Sequence, residues 1–386
     1  MNKYSIILLI FLFLTSCANK TNKGVIMESD SVQVLDLNCY LSNNEFHLED
    51  ILDSMKIVKL ETNDKSLISN PFQIIVTDSR IFIRDDYQGY GVIIFDSNGR
   101  FIKRLVHGNG PGEFSRCFSI GIDRYRQELL VLSSPFIMRY DWDGNYISSV
   151  ETDFPKDNII GCTKDCYILS KVYGHESKGY DGIDNFSLLV ADKDGHLKQM
   201  LLPYHNTIIS ERTASFEYDD KIFIGVSNCD SIFYFKDDSL CYFRKIDISS
   251  NKLDISQFKT FEDYIRGYLM NKETTKMSFG GDFFETQSHL ILPFVIGKKV
   301  YFVFVNKENG HVVSGRYQSR NIAETISITT PCGVFDDWFY TLENVNEYKK
   351  GCLTNPKYLN KEDLAKLESL KDDDNPYLVF YKLKQF

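Results

Sequence analysis

A chain of 386 residues with 43% hydrophobic and 25% charged residues is neither disordered nor collagen-like, and its mean hydropathy of -0.24 excludes a multi-span membrane protein. The 44 Lys+Arg against 53 Asp+Glu leave a net charge of -9 with no clustered basic stripe, which argues against a nucleic-acid partner. With 29 Phe and 23 Tyr but only 9 Pro, the apolar residues suit pleated, half-buried surfaces, and an all-β fold is expected.

The chain opens with Lys3 and an apolar stretch from Ser5 to Leu14. That stretch is too short to span a bilayer of about 30 Å as a helix and reads as an export signal. It ends in Leu14-Thr15-Ser16-Cys17, which resembles the lipobox of bacterial lipoproteins. The resemblance implies a signal peptide over residues 1–16, with Cys17 becoming the lipidated first residue of the mature chain. Several acyl chains on one cysteine give stable membrane attachment. Removing one Lys with the signal leaves 43 basic against 53 acidic residues, a charge of -10. Residues 17–31 are polar and read as a flexible tether, with the folded domain over 32–386. Eight cysteines remain. Cys162 and Cys166 flank what reads as a three-residue hairpin turn, placing them as a bridge or as free thiols; no second pair or nearby His completes a zinc set.

From residue 72 onward, short strands rich in Ile, Val, Phe and Tyr are closed by turns of one chemistry: Asp96-Ser-Asn-Gly99, Asp141-Trp-Asp-Gly144, Asp192-Lys-Asp-Gly195, Lys236-Asp-Asp-Ser239 and Asn306-Lys-Glu-Asn-Gly310. Asp or Asn opens each turn by accepting from amides two residues on, and Gly takes the positive φ. The openings at 96, 141, 192, 237 and 306 lie 45, 51, 45 and 69 residues apart. A second apolar series at 81, 129, 167, 222, 290 and 339 occurs six times, flanked by further short strands. Each unit is a four-stranded antiparallel meander, which predicts a six-bladed β-propeller. The sixth unit ends at residues 375–384 with its third strand, while an orphan strand, Met55-Lys-Ile-Val-Lys-Leu-Glu61, precedes the first. Pairing the two closes the ring and removes exposed edges. Residues 32–38 add a peripheral strand or belong to the tether, and the longer intervals predict two short helices, at 258–272 and at 361–370 after Asn360.

The lipobox, the strand KIVKLET, the segment FDSNGRFIKRLVHGNGPGEF at 95–114 and the ending DDDNPYLVFYKLK together resemble the six-bladed propeller lipoproteins of Bacteroidetes, distantly similar to NHL-repeat propellers. The NHL likeness is loose, because Ser115-Arg-Cys117 stands where those relatives often carry Pro. The resemblance implies a fold and an envelope location, periplasmic or surface-facing, and no activity.

In a propeller the links between second and third strands and those between blades emerge at one end of the ring, which is the expected binding face. This places Asp85, Asp86, Tyr87 and Tyr90 of blade one, His107, Glu113 and Arg116 of the following link, and Tyr173, His175 and Tyr180 of blade three as ligand-binding candidates. Tyr rings offer flat apolar faces with a hydroxyl, suited to sugar or peptide. Gly108-Asn-Gly-Pro-Gly112 lacks the Lys-Ser/Thr ending of a phosphate loop and leads into a strand. The Asp141/Asp143/Asn145 and Asp192/Asp194 runs lack the distal Glu of a calcium loop, so no metal is assigned. Asp85, Asp86, Asp181 and Asp184 are acids available for a glycosidase pair without any spacing that selects two of them, and no GxSxG occurs. The expected role is therefore a monomeric, non-enzymatic, cofactor-free binding propeller for a glycan, peptide or envelope protein. A lyase or hydrolase at the channel mouth is the alternative, and a structural subunit a third reading.

Overall fold

The computed structural model describes residues 22–23, 26–27, 32–38, 45–86, 91–172, 182–204, 213–218, 221–318, 330–345 and 357–386. Six sheets surround one axis, and each is built on a four-stranded antiparallel meander. The blades cover residues 71–105, 119–151, 158–203, 213–247, 278–318 and, for the sixth, 333–383 together with Leu52–Lys59. The predicted closure is present: Leu52–Lys59 lies antiparallel to Tyr377–Leu383, with Tyr377 opposite Lys59 and Leu383 opposite Leu52. Asn375, buried, anchors this seam by accepting from the Ile68 amide at 2.8 Å and donating to the Glu61 and Ser66 carbonyls.

The middle strands are buried on both sides because each blade is wedged between two others, so they read as continuous apolar runs, as in Glu128–Ser133 and Gly91–Asp96. The core is accordingly divided into wedges. Leu130 and Leu132 of blade two pack with Leu169 and Leu189 of blade three, and Phe304 of blade five packs with Phe339 and Val379 of blade six. First strands are stitched across blade boundaries: Gln73 bonds both backbone groups of Ile120, Ile159 N donates to Ser119 Oγ, and Ser215 donates to the Ile160 carbonyl. Such close approach needs a missing side chain at Gly121, where a Cβ would sit 2.4 Å from Ile159.

The predicted turn chemistry is observed. Asp96, Asp141 and Asp192 each accept from the amides two and four residues on, and Gly99, Gly144 and Gly195 have φ of 84°, 77° and 93°. Residues 32–38 resolve as a peripheral strand, Gln33–Asp36, parallel to the outer strand of blade four. Within the stretch read as a tether, Asn22–Lys23 and Ile26–Met27 pair with the outer strands of blades three and four, and Glu45–His47 pairs with that of blade five. The helix predicted at 258–272 is one α-turn, Phe261–Tyr264, running into a π-turn, Ile265–Leu269; Thr260 and Asp263 cap it reciprocally. The second helix, Lys361–Glu368, starts at Asn360, whose side chain accepts from the Asp363 amide at 2.8 Å.

The cysteine hairpin departs from expectation. Thr163 faces Cys166 across a two-residue turn, and Cys162 faces Tyr167. Neighbouring strand positions point to opposite faces, so Cys162 enters the wedge between blades two and three and Cys166 that between three and four, and both are free thiols.

Candidate functional site

The two ends of the ring differ. At the end carrying the turns between first and second strands, Arg124 of blade two forms an ion pair with Glu217 of blade four at 2.7 Å, a chord that skips blade three. Burial lifts the Glu217 carboxyl above its ordinary range despite the opposing Arg124 charge. Beside the chord, Lys193 binds the buried Asp123 carboxylate at 2.9 Å, contacts the Cys162 thiol and stands 4.4 Å over the Tyr167 ring. Burial pushes Asp123 up, but the Lys193 hydrogen bond and charge outweigh it and hold the carboxyl below its usual value. Glu128 and Arg139 pair bidentately at 2.6 and 2.7 Å. These polar groups of the turn end are thus committed to one another.

At the opposite, loop end, Asp85 is 1% exposed; its oxygens accept from the Ser69 and Asn70 amides, and Arg104 stands 3.6 Å away. It holds the link from blade six to blade one in place. Asp86, half-buried, pairs with Arg84 at 2.8 Å, and the Arg84 guanidinium stacks at 4.6 Å on Phe72, which is 68% exposed. Arg84 is itself buried, and its Nε finds no hydrogen-bond partner among the described residues. The Cys117 thiol lies near this pair; burial pushes it up to about 12, with Arg84 opposing and Asp86 reinforcing the shift. Of the next link, His107 and Glu113 are exposed: Glu113 accepts from the Gly110 amide at 2.8 Å, and the link folds back through Gly108 N to the Phe114 carbonyl at 3.0 Å. Exposed Arg116 stacks at 5.0 Å on Phe118. Cys17, Tyr87, Tyr90, Tyr173, His175, Tyr180 and Asp181 lie outside the described residues.

Two lysines at this end were not singled out from the sequence. Lys171, wholly buried, pairs with Asp184 at 2.8 Å, and Tyr204 donates to its carbonyl. Lys156, 5% exposed, donates to the Pro135 carbonyl and to Thr152; burial lowers it to about 8 although Asp153 and Asp157 pull the other way. The legible signal for Lys171 is a cation at the loop end of a buried second strand, as also at Arg84; Lys156, in the link between blades two and three, carries no such signal. The insertion between blades four and five carries its own small core of Leu253, Phe258, Tyr264 and Tyr268 and leaves Phe261 and Met270 exposed. The helix Lys361–Glu368 instead backs the closing strand, with Lys366 donating to the Ile57 carbonyl. Asp192, Asp194 and His196 bring ligand atoms within 4.8 Å of one another, but Asp192 already serves its turn amides.

This architecture defines a six-bladed β-propeller with one stitched end and one loop-bearing end. The chain belongs to the family described as Domain of unknown function (DUF4934), which matches residues 32–382. Among solved structures it is similar to a Bacteroides fragilis protein assigned as exported, at 13% identity and TM-score 0.73, covering 92% of this chain and 100% of that one. It also matches a protein of unknown function from Bacteroides caccae, at 12% identity and TM-score 0.41 over 68% and 94% of the two chains. A third match is the extracellular domain of a protein assigned as a hybrid two-component system of B. thetaiotaomicron, at 12% identity and TM-score 0.36 over 67% and 29%. No curated protein matches the sequence. Among the described residues no helix is long and apolar enough to cross a membrane.

Proposed function

We propose that this protein is an envelope lipoprotein of the Bacteroidetes propeller type, anchored through Cys17, whose loop end binds a glycan, a peptide or another envelope protein without transforming it. The observation that carries this reading is the asymmetry of the ring. One end is crossed by the Arg124–Glu217 chord and exposes Tyr125, while the loops and links of the other carry more of the exposed apolar side chains, including Leu67, Phe72, Val106, Phe136, Phe261 and Met270. Exposed apolar residues gathered on one face mark a surface for a partner. Phe72 and Phe118, each under an arginine, offer stacking platforms with a cation attached, which suits a sugar ring or a peptide carrying aromatic or acidic groups. The assignment of the similar B. fragilis protein as exported agrees with the leader and lipobox read in this chain.

The test is binding of the mature protein to glycan and peptide arrays, with envelope pull-down alongside. Phe72→Ala with Arg116→Glu should abolish capture, whereas Arg124→Gln at the turn end should leave it intact. Loss of binding in the turn-end variant alone, or turnover of a captured polysaccharide or peptide, would overturn the reading.

A further inference from the structure

The N-terminal segment travels one way round the rim. It touches the outer strand of blade three at Asn22–Lys23, that of blade four at Ile26–Met27 and Gln33–Asp36, and that of blade five at Glu45–His47, then completes blade six. Every added edge strand before the closure is parallel to the outer strand beneath it, so its direction is set by that strand. Sheet twist lays the outer strands along the rim, and the end of one reaches the next blade's outer turn. A Cβ on Gly195 of blade three would lie 2.3 Å from the Glu151 carbonyl of blade two, and one on Gly99 of blade one 2.1 Å from the Lys59 carbonyl of blade six. The start of the blade-three outer strand, on which Asn22 lies, therefore stands beside the end of the blade-two outer strand.

Cys17 precedes Asn22 by five residues, so even at full extension their Cα atoms lie within about 18 Å. The outer strands of blades one and two, Phe101–Leu105 and Tyr146–Glu151, carry no added strand among the described residues, and that of blade two is the one whose end meets blade three. It exposes Tyr146 and Ile147, at 41% and 46%. A tyrosine ring beside an aliphatic side chain suits the boundary between headgroups and acyl chains. Length of leash and an uncovered apolar rim point to the same place.

Resting on the reading of Cys17 as lipidated, we infer that the propeller meets the bilayer rim-first at blades two and three, with Tyr146 and Ile147 against the lipid. The ring axis then runs along the membrane, both ends open sideways, and blades five and six stand farthest out. The loop end is left free to receive a partner lying along the membrane surface.

The experiment places a donor dye, through a genetically encoded handle, at position 147, 125, 136 or 300 of the diacylated mature protein. The protein is held in phosphatidylethanolamine–phosphatidylglycerol vesicles with a headgroup acceptor. Position 125 lies at the turn end of blade two, 136 at its loop end and 300 on blade five. Energy transfer should be greatest at 147, similar at 125 and 136, and least at 300. Inserting a flexible Gly/Ser segment between Thr21 and Asn22 should abolish the ranking. Transfer at 125 or 136 above that at 147, or equal transfer at all four positions, overturns the inference. The anchor is tested separately by the mass of the N-terminal peptide from the native host: a Cys17 without diacylglycerol refutes lipidation. The geometry is then read on protein in which Cys39, Cys229, Cys241, Cys332 and Cys352 are replaced by Ser and Cys17 is coupled to a maleimide phospholipid.

Discussion

Gly225 lies in the second strand of blade four, where a Cβ would stand 2.0 Å from the Gly281 carbonyl oxygen, in the link between Ser278–Phe279 and Phe284–Glu285 of blade five's interrupted first strand. Close carbon–oxygen contacts settle near 3.3 Å, so Gly225→Ala requires that link to retreat by roughly 1 Å. The link is pinned: Asn228 N donates to the Phe279 carbonyl at 2.8 Å, and Ser278 donates to the Asn228 side chain. Overpacking of this kind costs about 1–3 kcal/mol. The gain from a stiffer unfolded chain, about 0.4–1 kcal/mol, offsets only part of it. Gly280, one residue before the obstructing carbonyl, is the internal control, because a Cβ there meets nothing within 4 Å. Urea unfolding followed by fluorescence should show Gly225→Ala with a lower midpoint at unchanged slope, and Gly280→Ala at or slightly above wild type. If Gly225→Ala unfolds at the wild-type midpoint, the close packing of blades four and five is not as described.

Four further outcomes are expected. Ile57→Ala, in the closing strand and 1% exposed, should cost about 2–5 kcal/mol in the same assay. Deleting the chain through Lys59 should expose the Tyr377–Leu383 edge and shift the protein to oligomers on size exclusion. Lys156, held at about 8, gives up its proton in the native state while the unfolded chain keeps it up to about pH 10.4. The unfolded state therefore binds more protons in that window, and this residue makes stability rise with pH from about 8 to 10. Lys156→Met should be more stable at neutral pH and should lack that component, read as the difference between wild-type and variant midpoints. Cys162 and Cys166 should resist iodoacetamide in the native protein, where burial raises both thiols, and should both alkylate after unfolding without reductant. A peptide carrying a 162–166 bridge would contradict their placement on opposite faces.

Six meanders, their Asp–Gly turns, the second helix with its Asn360 cap and the strand that closes the ring were legible in the sequence. Each rests on local period or turn chemistry, or, for the closure, on a strand left over at either end. The cysteine hairpin was misplaced by a turn one residue too long, and a shift of one residue moves a side chain to the other face of its sheet. Asp85 was legible as a loop-face acid, yet its carboxylate is taken up by two amides brought from the link before blade one. The Arg124–Glu217 chord joins residues 93 positions apart, and the N-terminal belt touches blades some 180 to 270 positions away. Such meetings are decided by the twist of each sheet and the curvature of the ring. These are properties of the assembled blades, and no window of sequence carries them.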